Sequence, residues 1–356
     1  MNSAILKTQL LCLGARTDEA VEKGRKGGAG PPGRCFILPS RVSVNIPLRG
    51  DFIKNSPFRL LEQNGSWQLL KDGEFHSEVE ALPRPKFYQK NTADGTPMWK
   101  IARLCGRGCL ASTVYQKCIY WRSSNQCKFC GIELSLKYGT TIELKTGEQL
   151  GEVVAEAAKE GFVKHITLTT GTPHGPDKGA NLLSEATKGV KSAVNIPVHV
   201  QLEPPDDIAY LEMLYRSGAD TVGIHVESFD DAVLKEVCPM KPSLTEYLSI
   251  WKSAVKIFGE EQVSSFIIAG LGEMDESVVN GAEEMSRIGV IPLLLPLRPI
   301  VGTEFESQSP PRPERMFHLY RTVCEVMKSY GMDPRKNKAG CVRCGDCSAL
   351  TEFYTI

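Results

Sequence analysis

Cys127-Lys-Phe-Cys130 follows Cys118 by nine residues in this 356-residue chain. Three thiolates in one short loop can hold three irons of a [4Fe–4S] cluster and leave the fourth iron open to a ligand. Phe129, just before the last cysteine, would shield such a cluster from water. The arrangement points to reductive cleavage of a sulfonium bond. A second group, Cys341-Val-Arg-Cys344-Gly-Asp-Cys347, matches the first three positions of the ferredoxin run C-x2-C-x2-C but lacks its C-x3-C-P continuation. Its functional reading is a second cluster, with a fourth ligand from elsewhere or an iron left for substrate. Its bland reading is a zinc site or a reactive tail.

Twelve cysteines without a secretory h-region argue for metal or redox chemistry rather than a disulfide framework. Cys105, Cys109, Cys118, Cys127 and Cys130 share one 26-residue stretch, while Cys12, Cys35, Cys238 and Cys324 are scattered and read as small buried hydrophobes. Lys+Arg and Asp+Glu are both 42, and zero net charge gives no reason to expect a nucleic-acid partner. No apolar run nears the roughly 20 residues of a membrane span. The expectation is a cytoplasmic protein without membrane attachment. With 42% hydrophobic residues the chain can build a large core, and its length suits a whole α/β barrel.

The elements that must hold these cysteines follow from periodicity. Residues 1–95 read as a β-rich extension. It contains the flexible run Gly24–Gly33, the alternating RVSVNIP, and an Asn64-Gly65 type I′ hairpin within Phe58–Phe75, and it is closed by Pro83 and Pro85. Residues 96–310 repeat strand, loop and helix. Trp99–Leu104 reads as a first strand leading into the cysteine loop. Thr146-Gly-Glu-Gln149 is a capping box, opening a helix through Lys159. Further strands are expected at Lys164–Thr170, Val198–Glu203, Thr221–Val226, Val263–Ala269 and Val290–Leu295, with helices between them. Polar strand ends (LTTGT, QLEPP, HVES, LRP) favour a partial (β/α)6 TIM-type barrel over a doubly wound sheet. Residues 311–356 form a last helix, Pro313–Tyr330, and a cysteine-rich tail.

With the cysteine loop and the sixth-strand text PLRPIVGTEFE, the chain resembles the radical S-adenosylmethionine (radical-SAM) enzymes over roughly Met98–Glu306, within their biotin-synthase-like branch. RKGGAGP at Arg25–Pro31, GCLASTVYQKC at Gly108–Cys118, TVGIHVESFD and GCVRCGDCSAL further resemble a family encoded beside nitrilases in bacterial gene clusters. One departure stands out. The superfamily spaces its cysteines C-x3-C-x2-C, whereas Cys118, Cys127 and Cys130 give C-x8-C-x2-C, and Cys105-Gly-Arg-Gly-Cys109 is itself a C-x3-C. Cys118 leaves the shorter excursion and Cys109 is the substitute. The zinc alternative is Cys109, Cys118, Cys127 and Cys130, although zinc ordinarily wants two close pairs.

The resemblance implies a [4Fe–4S] cluster, S-adenosylmethionine, and an electron donor such as ferredoxin or flavodoxin. The cluster would cleave S-adenosylmethionine to a 5′-deoxyadenosyl radical that abstracts hydrogen from a small molecule. By the same resemblance Thr170, Gly171 and Thr172 meet the methionine amino group, Glu227 the ribose, and Gly270 and Gly272 the adenine. The plain alternatives are a strand-to-helix turn at Thr169–Thr172 and an N-cap at Glu227. His199, Gln201, Glu203, His225 and Arg298 alternate toward a barrel interior and are candidate substrate contacts, each more plainly read as satisfying a neighbour. His174 is a candidate proton shuttle or a turn histidine, and Arg25 and Lys26 a candidate cover over an anionic substrate. The gene-cluster resemblance implies nitrile- or cyanide-related metabolism. The competing readings are cofactor biosynthesis by sulfur insertion or rearrangement, and a non-catalytic iron–sulfur carrier.

Overall fold

A computed structural model of the chain describes residues 3–18, 24, 26–28 and 30–356. The first helix, α1 (Ser3–Leu13), precedes β1 (Arg16–Thr17), β2 (Arg34–Ile37), β3 (Ser43–Ile46), β4 (Phe58–Gln63), β5 (Ser66–Lys71) and β6 (Glu74–Ala81). These strands form a sheet in the order β1-β4-β5-β6-β2-β3. Asn64 and Gly65 take φ of 53° and 81°, the left-handed pair a type I′ turn needs between β4 and β5. Helix α1 escapes a periodicity reading because its buried residues, Ala4 to Cys12, lie around most of its circumference. It packs on the far end of the chain, where Lys7, 1% exposed, pairs with Glu352 at 2.8 Å.

The second sheet follows: α2 (Met98–Ile101), β7 (Arg103–Cys105), β8 (Cys109–Thr113), α3 (Leu134–Lys137), α4 (Gly147–Ala158), β9 (His165–Thr169), α5 (Ala180–Ala193), β10 (Val198–Gln201), α6 (Ala209–Arg216) and β11 (Thr221–Gly223). Then come α7 (Asp231–Val237), α8 (Leu244–Phe258), β12 (Val263–Ala269), α9 (Asp275–Ile288) and β13 (Val290–Pro296). Spatial order runs from β13 straight down to β7. A doubly wound sheet would reverse at a switch point, so this monotonic order curls the sheet one way into an open barrel. Strands β8 to β13 are parallel, and helices such as α4, with the capping box on Thr146 and Gln149, cover the outside.

The expected first strand is corrected. Met98–Ile101 is a helical turn, and Gly106 and Gly108, at φ of 59° and 104°, fold the chain back so that Cys105 pairs with Cys109 in an antiparallel hairpin. Cys109 therefore begins the first parallel strand instead of lying in the loop after it.

In β9, Ile166 and Leu168 are fully buried toward the helices, while His165, Thr167 and Thr169 lie on the inner face. Polar inner residues leave a lumen where large aliphatic side chains would fill it.

The last segment closes the N-terminal end of this lumen. After α10 (Pro313–Ser329) the chain runs back beneath the strands to α11 (Cys341–Cys344) and α12 (Leu350–Tyr354). Thr221 donates to the Ala339 carbonyl at 3.3 Å, and the Gly340 N–H donates to His165 Nδ1 at 3.2 Å. Gly340 has φ +93°, and a Cβ there would stand 2.4 Å from the His199 ring. Gly340→Ala is expected to destabilise the fold by about 2–4 kcal/mol, read from urea unfolding.

Candidate active site

The lumen and the C-terminal strand ends enclose a cavity of ≈ 410 Å³ bordered by Cys118, Cys127, Cys130 and Phe129. Backbone bonds fix this loop: Lys128 N–H donates to Val237 at 3.0 Å, Phe305 N–H donates to Lys128 at 3.1 Å, and Cys118 N–H donates to Glu133 Oε1 at 3.1 Å. Burial pushes the Cys118 and Cys130 thiols up. Cys127 is instead held down by the Cys238 thiol, which donates to it. Cys238 is buried, as a small hydrophobe should be, and nothing in its spacing marks this contact.

Cys109, the substitute ligand, lies at the other end of β8 from the Cys118 loop. It opens β8, four residues or about 13 Å below Thr113 at the cavity's C-terminal rim. Its thiol is instead in contact with that of Cys344, which holds its pKa down to about 6. Among the described residues, only Cys35, Cys105 and Asp346 bring three donor atoms within 4.8 Å of one another.

Thr170, Gly171 and Thr172 border the cavity just beyond β9. A Cβ on Gly171 would lie 2.1 Å from the Lys117 carbonyl, so only glycine lets the two loops approach. Glu227 is buried with φ +70°, an unusual strain for a non-glycine residue, and is held by bonds to Phe266 and Ile268 of β12. Its Oε1 lies 3.4 Å from Lys241, while Oε2 has no partner. Burial raises the Glu227 pKa against the pull of Lys241. Burial works to lower the pKa of Lys241, but Tyr247, Glu227 and Glu203 together hold it up. Lys241 was missed in the sequence because a lysine in an irregular loop beside prolines carries no periodic signal.

His225 stacks on Phe266 with centroids 3.6 Å apart, and its Nε2 is buried without a partner. Gly270 and Gly272 take φ of 104° and 119° but do not line the cavity; the Gly270 and Leu271 N–H groups donate to Glu273, which pairs with Arg315. Phe266 and Ile268 are the β12 residues on the cavity. Gln201 and Glu203 border it, whereas His199, pushed down to about 3 by burial, is held by Thr221 at 2.7 Å. Arg298 lines the cavity at 6% exposure, with Nε and both Nη atoms unpartnered. His174 is exposed. Lys26 lies 4.9 Å from the Tyr138 ring centroid, and Gly27, Gly28 and Gly30 border the cavity; Arg25 lies outside the described residues.

The Radical SAM superfamily profile matches residues 122–285, beginning just after Cys118, where the spacing departs from the usual triad. That matched segment carries the signature of the radical SAM superfamily. Its members are enzymes that use a [4Fe–4S] cluster, S-adenosylmethionine and a reductant. This chain is 26% identical over 342 residues to a bacteriochlorophyllide c C-7(1)-hydroxylase of Chlorobaculum limnaeum, covering 83% of this chain and 84% of that protein. Among solved structures it is similar to HydG, a maturase of the [FeFe]-hydrogenase, with TM-score 0.50 and 16% identity over 69% of this chain and 54% of that one. Methylornithine synthase (PylB) follows with TM-score 0.47 and 18% identity, covering 63% of this chain and 64% of that one. The chain thus spans less than two thirds of either structure, and the likeness to HydG concerns the half-barrel fold alone. These comparisons lend no support to a nitrile- or cyanide-related setting. No helix among the described residues is long and apolar enough to cross a membrane.

Proposed function

We propose that Cys118, Cys127 and Cys130 hold the [4Fe–4S] cluster and that the enzyme functionalises a C–H bond of a small anionic substrate in the cavity. The observation that carries this reading is a single cavity bordered by these thiols together with buried polar atoms that lack partners, Glu227 Oε2 and the Arg298 guanidinium. Buried polar groups in folded proteins are nearly always bonded, so orphans facing a cavity call for a ligand. When bound, the cluster and S-adenosylmethionine would supply a 5′-deoxyadenosyl radical. The chain's own residues position and shield: Glu227 accepts a hydroxyl, Thr170 to Thr172 line the wall near the cluster loop, and Phe129 keeps water out. An electron carrier has no use for such a cavity. The Chlorobaculum relative makes hydroxylation the leading reaction class. Sulfur insertion is the second reading, favoured by the cysteines on the cavity floor.

The reconstituted protein, incubated anaerobically with S-adenosylmethionine and dithionite, is expected to release 5′-deoxyadenosine. A cluster-loaded protein that neither binds nor cleaves S-adenosylmethionine would overturn the reading. Arg298 provides a further check. Arg298→Leu is expected to raise stability by about 1–3 kcal/mol, because it removes an unpaired buried charge. It should also weaken stabilisation by small carboxylates about 10- to 100-fold in apparent Kd, as measured by thermal shift.

A further inference from the structure

We propose a second iron–sulfur site on the cavity floor, held by Cys341, Cys344 and Cys347 of the tail and by Cys109 of β8. The chain brings together six cysteines from three distant segments: Cys35, the Cys105/Cys109 hairpin, and the tail group. The Cys344 thiol is in contact with both Cys105 and Cys109. Cys341 accepts from Gln201 Nε2 at 3.3 Å, and Cys347 accepts from Asn45 Nδ2 at 3.8 Å. All four proposed ligands border the same cavity as Cys118, Cys127 and Cys130.

Two geometric facts select Cys109 over Cys105 as the fourth ligand. Cys109 lies on the inner pleat of β8 with Ala111 and Thr113, facing the lumen. Cys105 also borders the cavity, but its thiol is shared with Cys35 and Asp346, the trio within 4.8 Å, at the seam with the N-terminal sheet. That seam is tied together: Asp346 accepts from the Ser43 hydroxyl at 2.5 Å, and a Cβ on Gly106 would fall 2.5 Å from its carboxylate. Asp346 is 1% exposed and its Oδ2 has no partner. Four soft thiol donors bordering one wall of the cavity suit iron. Position separates the two sites. The Cys118 loop follows the C-terminal end of β8, whereas Cys109 opens that strand, so a substrate in the lumen would lie between two clusters.

The proposal rests on the radical SAM reading only in preferring an iron–sulfur cluster to zinc. Its test is a chain with Cys118, Cys127 and Cys130 all changed to Ala, loaded anaerobically with iron and sulfide. It is expected to keep about four irons and four sulfides, against about eight of each in the parent chain, with a reduced-cluster EPR signal. Adding Cys109→Ser and Cys344→Ser should remove them. Retention of zinc in place of iron would overturn the proposal, as would loss of iron on Cys105→Ser with retention on Cys109→Ser. Should the triple variant fail to fold, the parent chain decides: about eight irons support the second site and about four oppose it. A parent chain that makes no 5′-deoxyadenosine while the triple variant keeps its iron would sink the proposed function and leave this site standing.

Discussion

Cys127→Ala is expected to reduce 5′-deoxyadenosine release to background, a loss of at least ~10³-fold or about 4 kcal/mol of barrier. Cys238→Ala should retain most of it. The comparison is informative because the two thiols touch, and Cys238 donates to Cys127. Were Cys238 a fourth ligand beside Cys118, Cys127 and Cys130, the site would be closed, as in structural zinc sites and carriers. A three-thiol site leaves one iron for S-adenosylmethionine. Equal loss in both variants, each assayed at matched iron content, would therefore count against the open site. Loss only in Cys127→Ala would assign Cys238 to packing against the cysteine loop.

Lys241→Met should destabilise the fold by about 3–5 kcal/mol at neutral pH, because it strands the buried Glu227 carboxylate. The pair is almost dry, with side chains 9% and 11% exposed at 3.4 Å separation. The lysine also donates to the His225 carbonyl at 2.6 Å, so the same change frees a backbone acceptor. The pH dependence follows from the direction of the Glu227 shift. Burial already raises this carboxyl above its ordinary value. Without Lys241 it rises further, and the folded state binds a proton that the unfolded state has released. Stability then falls as pH rises through the window from the ordinary carboxylate range to the raised pKa. Urea unfolding from pH 5 to 8 should show the variant's deficit shrinking toward the acid end. A deficit independent of pH would mean that Glu227 is not the group left uncompensated. Lys241→Met with Glu227→Gln should recover part of the loss, since no charge then remains unpaired.

Much of the scaffold was legible in order because its signals are local. The capping box at Thr146 and Gln149, the Asn64-Gly65 turn and the helix at Leu244–Phe258 each depend on residues within a few positions of one another. The reading failed where long-range contacts decide. The Cys105–Cys109 turn reads as loop in the sequence because two glycines, not an apolar run, make it a hairpin. Helix α1 was missed because its burial depends on α10 and α12, which follow some three hundred residues later.

By itself the sequence determined which thiols lie near one another along the chain, since spacing within a loop is local geometry, while the radical SAM reading came from the resemblance of the surrounding motifs. Only the tertiary structure decided what those thiols meet. It carried Cys109 to the floor with Cys344, set Cys238 against Cys127, and put Lys241 beside Glu227. Each of those meetings depends on how the barrel curls and where the tail returns. Strand alternation names the face on which a residue lies, but closure of the sheet decides what it finds there.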